Sequence, residues 1–141
     1  MQKQYTTGVT LLELMVVIAV VAILSTIAVT TYRGYLMRTN RTEARTALLR
    51  IQTAQEKFFL QNNRYAKDTE MPKAPPDGLG VPAVSTPGGF YKISIADYTA
   101  TTYTAVAQAQ AGQLDDRAQC QTFKIDQNGG RTPAASTGCW K

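Results

Sequence analysis

Residues 8–32 read GVTLLELMVVIAVVAILSTIAVTTY, and the reading of this stretch decides the architecture. From Val9 to Thr31 a single side chain is ionisable, the carboxylate of Glu13. As an α-helix rising about 1.5 Å per residue these residues span roughly 35 Å, enough to cross a bilayer. An ionised acid in the hydrocarbon core costs about 2.5–3.5 kcal/mol on insertion scales, so Glu13 is expected to carry a function and to need a partner of opposite charge.

Upstream stands MQKQYTTG, short and polar, with Lys3 its only charge. A secretory signal peptide fits poorly. The apolar run is much longer than an ordinary signal core, no A-x-A cleavage site follows it, and Glu13 interrupts it near its start. A plain signal anchor fits the length and leaves Glu13 unexplained. Downstream, Ala44, Ala47, Ile51, Ala54 and Phe58 recur at spacings of three and four, with Leu48 and Phe59 widening the face. Arg41, Arg45, Arg50, Gln52, Gln55 and Lys57 are expected mostly on the opposite side. Neither Pro nor Gly occurs between Tyr35 and Gln61, so one helix is expected from about residue 9 to residue 62, roughly 80 Å long.

Asn62-Asn63-Arg64-Tyr65 ends that helix. Residues 66–89 hold five of the six prolines and four glycines, which makes them a long connection with turns. Three strands are expected after it. Phe90–Ala96 places Tyr91, Ile93 and Ile95 on one face. Thr101–Ala109 sets Tyr103, Ala105 and Ala107 against Thr102, Thr104 and Val106. Gln119–Asp126 places Phe123 and Ile125 inward. Asn128-Gly129-Gly130 signals a tight turn. The fold class is therefore α+β: one long helix whose second half packs on an antiparallel sheet of three to four strands.

Composition narrows the chemistry. The chain has 141 residues and a formal net charge of +5, from 15 basic and 10 acidic side chains. That balance suits an acidic partner such as DNA or anionic lipid, but an ordinary solvated surface is the simpler reading of it. With no histidine in the chain, Ser-His and Cys-His pairs are excluded, and so is the commonest metal ligand. GxGxxG and GxxxxGK are absent as well. Asp115, Asp116 and Asp126 carry oxygens suited to calcium but follow no recognised loop spacing. Asp115 and Asp116 read as turn residues beside Gly112. No catalytic residue, metal ligand or cofactor is expected, and the chain is not read as an enzyme. Outside the cytoplasm Cys120 and Cys139 most simply form one disulfide, closing a loop of about 20 residues worth roughly 3 kcal/mol, and a free pair is the alternative.

The run from Gly8 through Val9, Thr10, Leu11 and Leu12 to Glu13, followed by an apolar helix, resembles the G-F-T-L-x-E signature of type IV prepilins, with Val9 in place of the usual Phe. The resemblance implies a leader of residues 1–8, cleaved after Gly8 on the cytoplasmic side by a membrane prepilin peptidase. It also implies N-methylation of the new terminus, Val9. Glu13 then falls at the fifth mature position. With Thr10 it is assigned to subunit assembly, the carboxylate meeting the amine of Val9 in the neighbouring subunit or, at i,i+4, in its own. Residues 9–32 would be the membrane and filament-core helix. Residues 33–141 would be the head, with helix 33–62, αβ-loop 63–89, sheet 90–126 and a disulfide-bounded region 120–139. Thr30 stands where the family often has a helix-breaking Pro.

Glu56 to Asp68, EKFFLQNNRYAKD, resembles the pilin stretch leading into N-G-R-Y, and the late cysteine pair resembles the pilin D-region. The close, Cys139-Trp140-Lys141, looks most like minor pilins of the type IVa system. The function implied is a structural subunit of a type IV pilus, of the minor kind. It would be held in the inner membrane by a single pass with a periplasmic head, then assembled into an extracellular filament for pilus assembly, twitching motility, adhesion or DNA uptake. Its partners would be other pilins, the peptidase and methylase, the membrane and the assembly machinery. A pseudopilin of type II secretion and a DNA-binding pilin are the alternatives. One conflict stands in the sequence: Arg33, Arg38, Arg41 and Arg45 follow the helix, which by the positive-inside rule pulls that side to the cytoplasm, whereas the signature places it outside.

Overall fold

The computed structural model describes residues 8–82 and 85–140. Lys3 with the rest of segment 1–7, Lys141 and the side chain of Thr30 lie outside this description. The helix α1 runs Leu11–Asn62, and the chain divides into two compact units, Met1–Tyr35 and Leu36–Lys141.

In the first unit every described side chain is exposed. Three hydroxyls of this stretch bond back within the helix: Ser25 Oγ donates to the Val21 carbonyl at 2.7 Å, Thr26 Oγ1 to that of Ile23 at 2.7 Å and Thr31 Oγ1 to that of Ile27 at 3.1 Å. Such back-bonding lets Ser and Thr sit in an apolar helix without an unsatisfied donor. The backbone passes through residue 30 as helix, where a Pro would have removed a hydrogen-bond donor.

In the second unit α1 buries one stripe. Ala44, Leu48, Ile51 and Phe58 are buried, with Ala47, Ala54 and Phe59 packed beside them. The helix stops where Asn63 turns left-handed (φ 53°) and its N–H bonds the Phe59 carbonyl at 2.8 Å. Asn tolerates that conformation better than most residues, which makes it a suitable cap. The sheet is antiparallel in the order β1-β2-β3-β4, with β1 Tyr91–Ala96, β2 Thr104–Ala109, β3 Thr122–Asp126 and β4 Arg131–Thr132. Its inner face carries Tyr91, Ile93, Ile95, Ala105, Ala107, Phe123 and Ile125, all buried as their alternation foretells. Tyr103, expected to lead that face of the second strand, is also buried, one residue ahead of it.

Three expectations need correction. The second strand starts at Thr104, because Thr99 to Thr102 close on themselves: Thr99 N–H bonds the Thr102 carbonyl at 2.8 Å, and Thr99 Oγ1 accepts from Thr102 N–H at 2.9 Å. The third strand starts at Thr122, and Cys120 lies in the 3-10 turn Ala118–Cys120. Arg41 and Gln55 are buried rather than on the solvent side of α1. The connection after α1 also contributes to the core, through Tyr65, Ala66, Met71, Leu79 and Val81.

Cys120 and Cys139 form a disulfide across a separation of 19 residues. Beside it Tyr91, Phe123 and Trp140 pack edge to face, ring centroids 5.8 and 5.5 Å apart.

Candidate functional site

At the start of α1, Gly8, Val9 and Thr10 are non-helical and exposed. Thr10 Oγ1 accepts the backbone N–H of Glu13 at 3.2 Å. Thr10 is thus the N-cap, satisfying one of the orphan donors of the first turn. Glu13 lies in that turn, where the helix dipole favours an anion. Its carboxylate is exposed and in no ion pair among the described residues. The structure therefore brings Gly8, Val9, Thr10 and Glu13 together at one helix end and leaves the acid unspent.

In the head the chief polar constellation is one that the linear reading missed. Arg41 Nε donates to Asp116 Oδ2 at 2.7 Å, and its Nη2 donates to Oδ1, a bidentate pair with side chains only 6% and 3% exposed. Gln113 Nε2 donates both to Asp116 Oδ2 at 2.9 Å and to the Met37 carbonyl at 3.1 Å. Gln113 Oε1 accepts from Asn40 at 3.0 Å, and Arg117 N–H donates to Asp116 Oδ1 at 2.8 Å. Burial alone would raise the Asp116 carboxyl, but the Arg41 guanidinium, with the Arg117 N–H and the Gln113 amide, holds it below its ordinary value. The same pairing raises Arg41. Nearby, burial pushes the Tyr91 hydroxyl up to about 12. A signal for Arg41 did exist: positions 41, 44, 48, 51, 55 and 58 follow one three-four spacing, so Arg41 and Gln55 stand on the apolar stripe. Gln55 is accommodated because its amide bonds both the N–H and the carbonyl of Ala66, each at 2.8 Å.

A second pair closes the turn after α1. Arg64 donates twice to Glu70, both at 2.8 Å, and Glu70 also accepts the Lys67 N–H at 3.1 Å. The Arg64 contact is the main reason that Glu70 sits at about 2.

Among the described residues no cluster of His, Cys, Asp or Glu has the arrangement of a metal site. Asp116 is spent on Arg41, and Asp126 Oδ1 accepts the N–H groups of Asn128 and Gly130 at 2.9 and 2.8 Å, closing the hairpin turn. Of the basic residues, Arg41 and Arg64 are paired. Arg131 stacks over the Trp140 ring, 5.1 Å from its centroid. Lys92 on β1 and Lys124 on β3 both occupy the outer, solvent face of the sheet, where the register sets Lys92 opposite Gln108 and Lys124 opposite Val106.

The family described as "Type IV minor pilin ComP, DNA uptake sequence receptor" matches residues 30–124, and the prokaryotic N-terminal methylation motif matches residues 4–29. The type IV major pilin protein PilA of Myxococcus xanthus (strain DK1622) is 41% identical over 59 residues, 42% of this chain and 27% of that protein. The type II secretion system core protein G of Aeromonas hydrophila is 29% identical over 122 residues, 82% of each chain. The match thus spans about a quarter of the major pilin's length and most of the secretion protein's.

Proposed function

Since the chain belongs to the family of type IV minor pilins described as ComP, DNA uptake sequence receptor, we propose that it is a membrane-held filament subunit, processed between Gly8 and Val9 and assembled through α1. Residues 1–8 are the leader, the apolar part of α1 is both membrane anchor and filament core, and the remainder is the head, carried outside the cytoplasm. The observation that supports this most is the fully exposed apolar half of α1 with a free carboxylate in its first turn. Cleavage creates a positive amine at Val9, four residues from Glu13. A buried carboxylate facing such an amine is compensated, whereas any other register leaves both charges alone in apolar surroundings. Glu13 therefore sets the stagger between helices. Glu13→Ala should still insert in the membrane and should enter filaments poorly; normal incorporation would refute the register role.

The C-terminal disulfide favours this reading over a secretion pseudopilin. A DNA-binding role for the head is supported by the description of its family and by the placement of Lys92 and Lys124, which share one face of the sheet outside any ion pair among the described residues. Binding of the detergent-solubilised chain to duplex DNA should fall steeply with salt. Replacing both lysines by Gln should lower the slope of log K against log salt by about 2. An unchanged slope would assign the contact elsewhere.

A further inference from the structure

The four arginines that follow the apolar run are not explained by filament packing, and they oppose the orientation of the head. One is accounted for, because Arg41 is consumed by Asp116. What that pair holds in place is informative. The connection between β2 and β3 is drawn onto α1 at Met37, Asn40 and Arg41 by the buried network of Gln113 and Asp116. It enters this position through a left-handed Ala111 (φ 47°), a conformation that costs a residue with a Cβ. A strained residue and a buried ion pair thus support a turn whose tip, Leu114, is 54% exposed. One helical turn before Asn40 stands Leu36, also exposed. Arg38 follows Leu36 by two positions and Arg117 follows Leu114 by three, both exposed, with Asp115 the exposed acid of the turn and Asp116 spent on Arg41. Leu36 follows Thr31, the last residue of the apolar run, by five positions of chain.

We propose that this base of the head, Leu36 and Arg38 on α1 with Leu114 and Arg117 on the β2–β3 connection, docks on a bilayer surface containing anionic lipid while the subunit is held in the membrane. The proposal rests on the reading of the apolar half of α1 as the anchor. Exposed leucines with exposed arginines two and three positions along the chain are the composition of an interfacial contact. The apolar groups enter the headgroup boundary, and each guanidinium bonds lipid phosphate. The proximity is set by the chain itself, since residue 36 cannot leave the neighbourhood of a span ending at residue 31. Of the four arginines on this side, Arg41 then serves an ion pair and Arg38 a lipid surface, which leaves Arg33 and Arg45 to oppose the orientation.

The test uses the full-length chain in lipid nanodiscs. Trp140 is the only tryptophan, so Trp140→Phe with Leu114→Trp places one fluorophore on the turn, and Trp140→Phe with Leu60→Trp is a control at an exposed site near the far end of α1. With lipids brominated near the headgroup and part of the lipid anionic, emission at position 114 should be quenched by about half, and at position 60 hardly at all. Arg38→Gln with Arg117→Gln should reduce that quenching. Quenching at 114 no greater than at 60 overturns the proposal, and so does equal quenching in purely zwitterionic discs. Failure of the chain to enter discs at all overturns the anchor reading together with the proposal, whereas insertion without quenching overturns the proposal alone. The unaltered chain supplies a second readout: amide exchange across residues 111–117 should slow several-fold in anionic relative to zwitterionic discs. Protection that arises only in assembled filaments would make a second copy the occupant and overturn the lipid assignment.

Discussion

Leu11, Val16, Ile23 and Leu24 lie in the first half of α1 and are exposed, whereas Ala44, Leu48 and Ile51 in the second half are fully buried. Both halves are rich in apolar residues, and the difference is in pattern. In the second half the apolar residues form one stripe, matched by the inward faces of β1, β2 and β3. In the first they surround the helix, and none of the described residues covers them. A helix apolar all round is stable only inside lipid or among other helices. The second half is therefore explained by this chain alone, and the first by an assembly or a membrane.

Core substitutions should break this contrast most visibly. Leu48→Ala should destabilise the head by about 2–5 kcal/mol in chemical denaturation, from lost burial plus the cavity left behind. Asp116→Ala should cost about 3–5 kcal/mol, because it strands the buried Arg41 guanidinium. Either variant within 1 kcal/mol of wild type would contradict the packing described. Next in size is the disulfide. Cys120→Ser with Cys139→Ser should remove about 3 kcal/mol, and reductant should lower the wild type by the same amount without affecting the variant.

The acid limb follows. Glu70 is held at about 2, chiefly by its bond to Arg64, below its ordinary value of 4.5. A folded value below the unfolded one means stability that is present above the unfolded value and lost as pH falls through the folded one. Asp116 shifts in the same direction. The head should therefore weaken between pH 4.5 and pH 2, and Glu70→Gln should flatten that decline in thermal melts. Wild-type stability independent of pH across this window would contradict both ion pairs. The smallest effect belongs to the first half of α1: Val17→Ala should leave head stability within about 0.5 kcal/mol, since its side chain is exposed.

Much of this was legible in the chain itself. The apolar run, the three-four stripe and the period-two strands each write their burial in local order, and Tyr91, Ile93, Phe123 and Ile125 follow it. Asn63 marked the helix end and Asn128-Gly129-Gly130 the hairpin. What escaped is non-local. Asp116 lies 75 residues from Arg41, so nothing beside either residue announced the pair. The polarity of Arg41 and Gln55 outweighed their place on the stripe, although each is buried with partners that satisfy it. Cys120 sits in a tight turn, because the chain must swing from that pinned network into β3. The assignment of Gly8, Val9, Thr10 and Glu13 rests on their motif, and the structure adds the cap by Thr10 and a carboxylate in no ion pair among the described residues.

The central claim is that the Gly8–Val9 bond is cut and that the new terminus serves assembly. Intact-mass spectrometry of subunits recovered from native filaments tests it most directly. The account predicts a chain beginning at Val9, with one methyl group on its amine and two hydrogens lost at Cys120 and Cys139. A filament subunit that still begins at Met1 would contradict it.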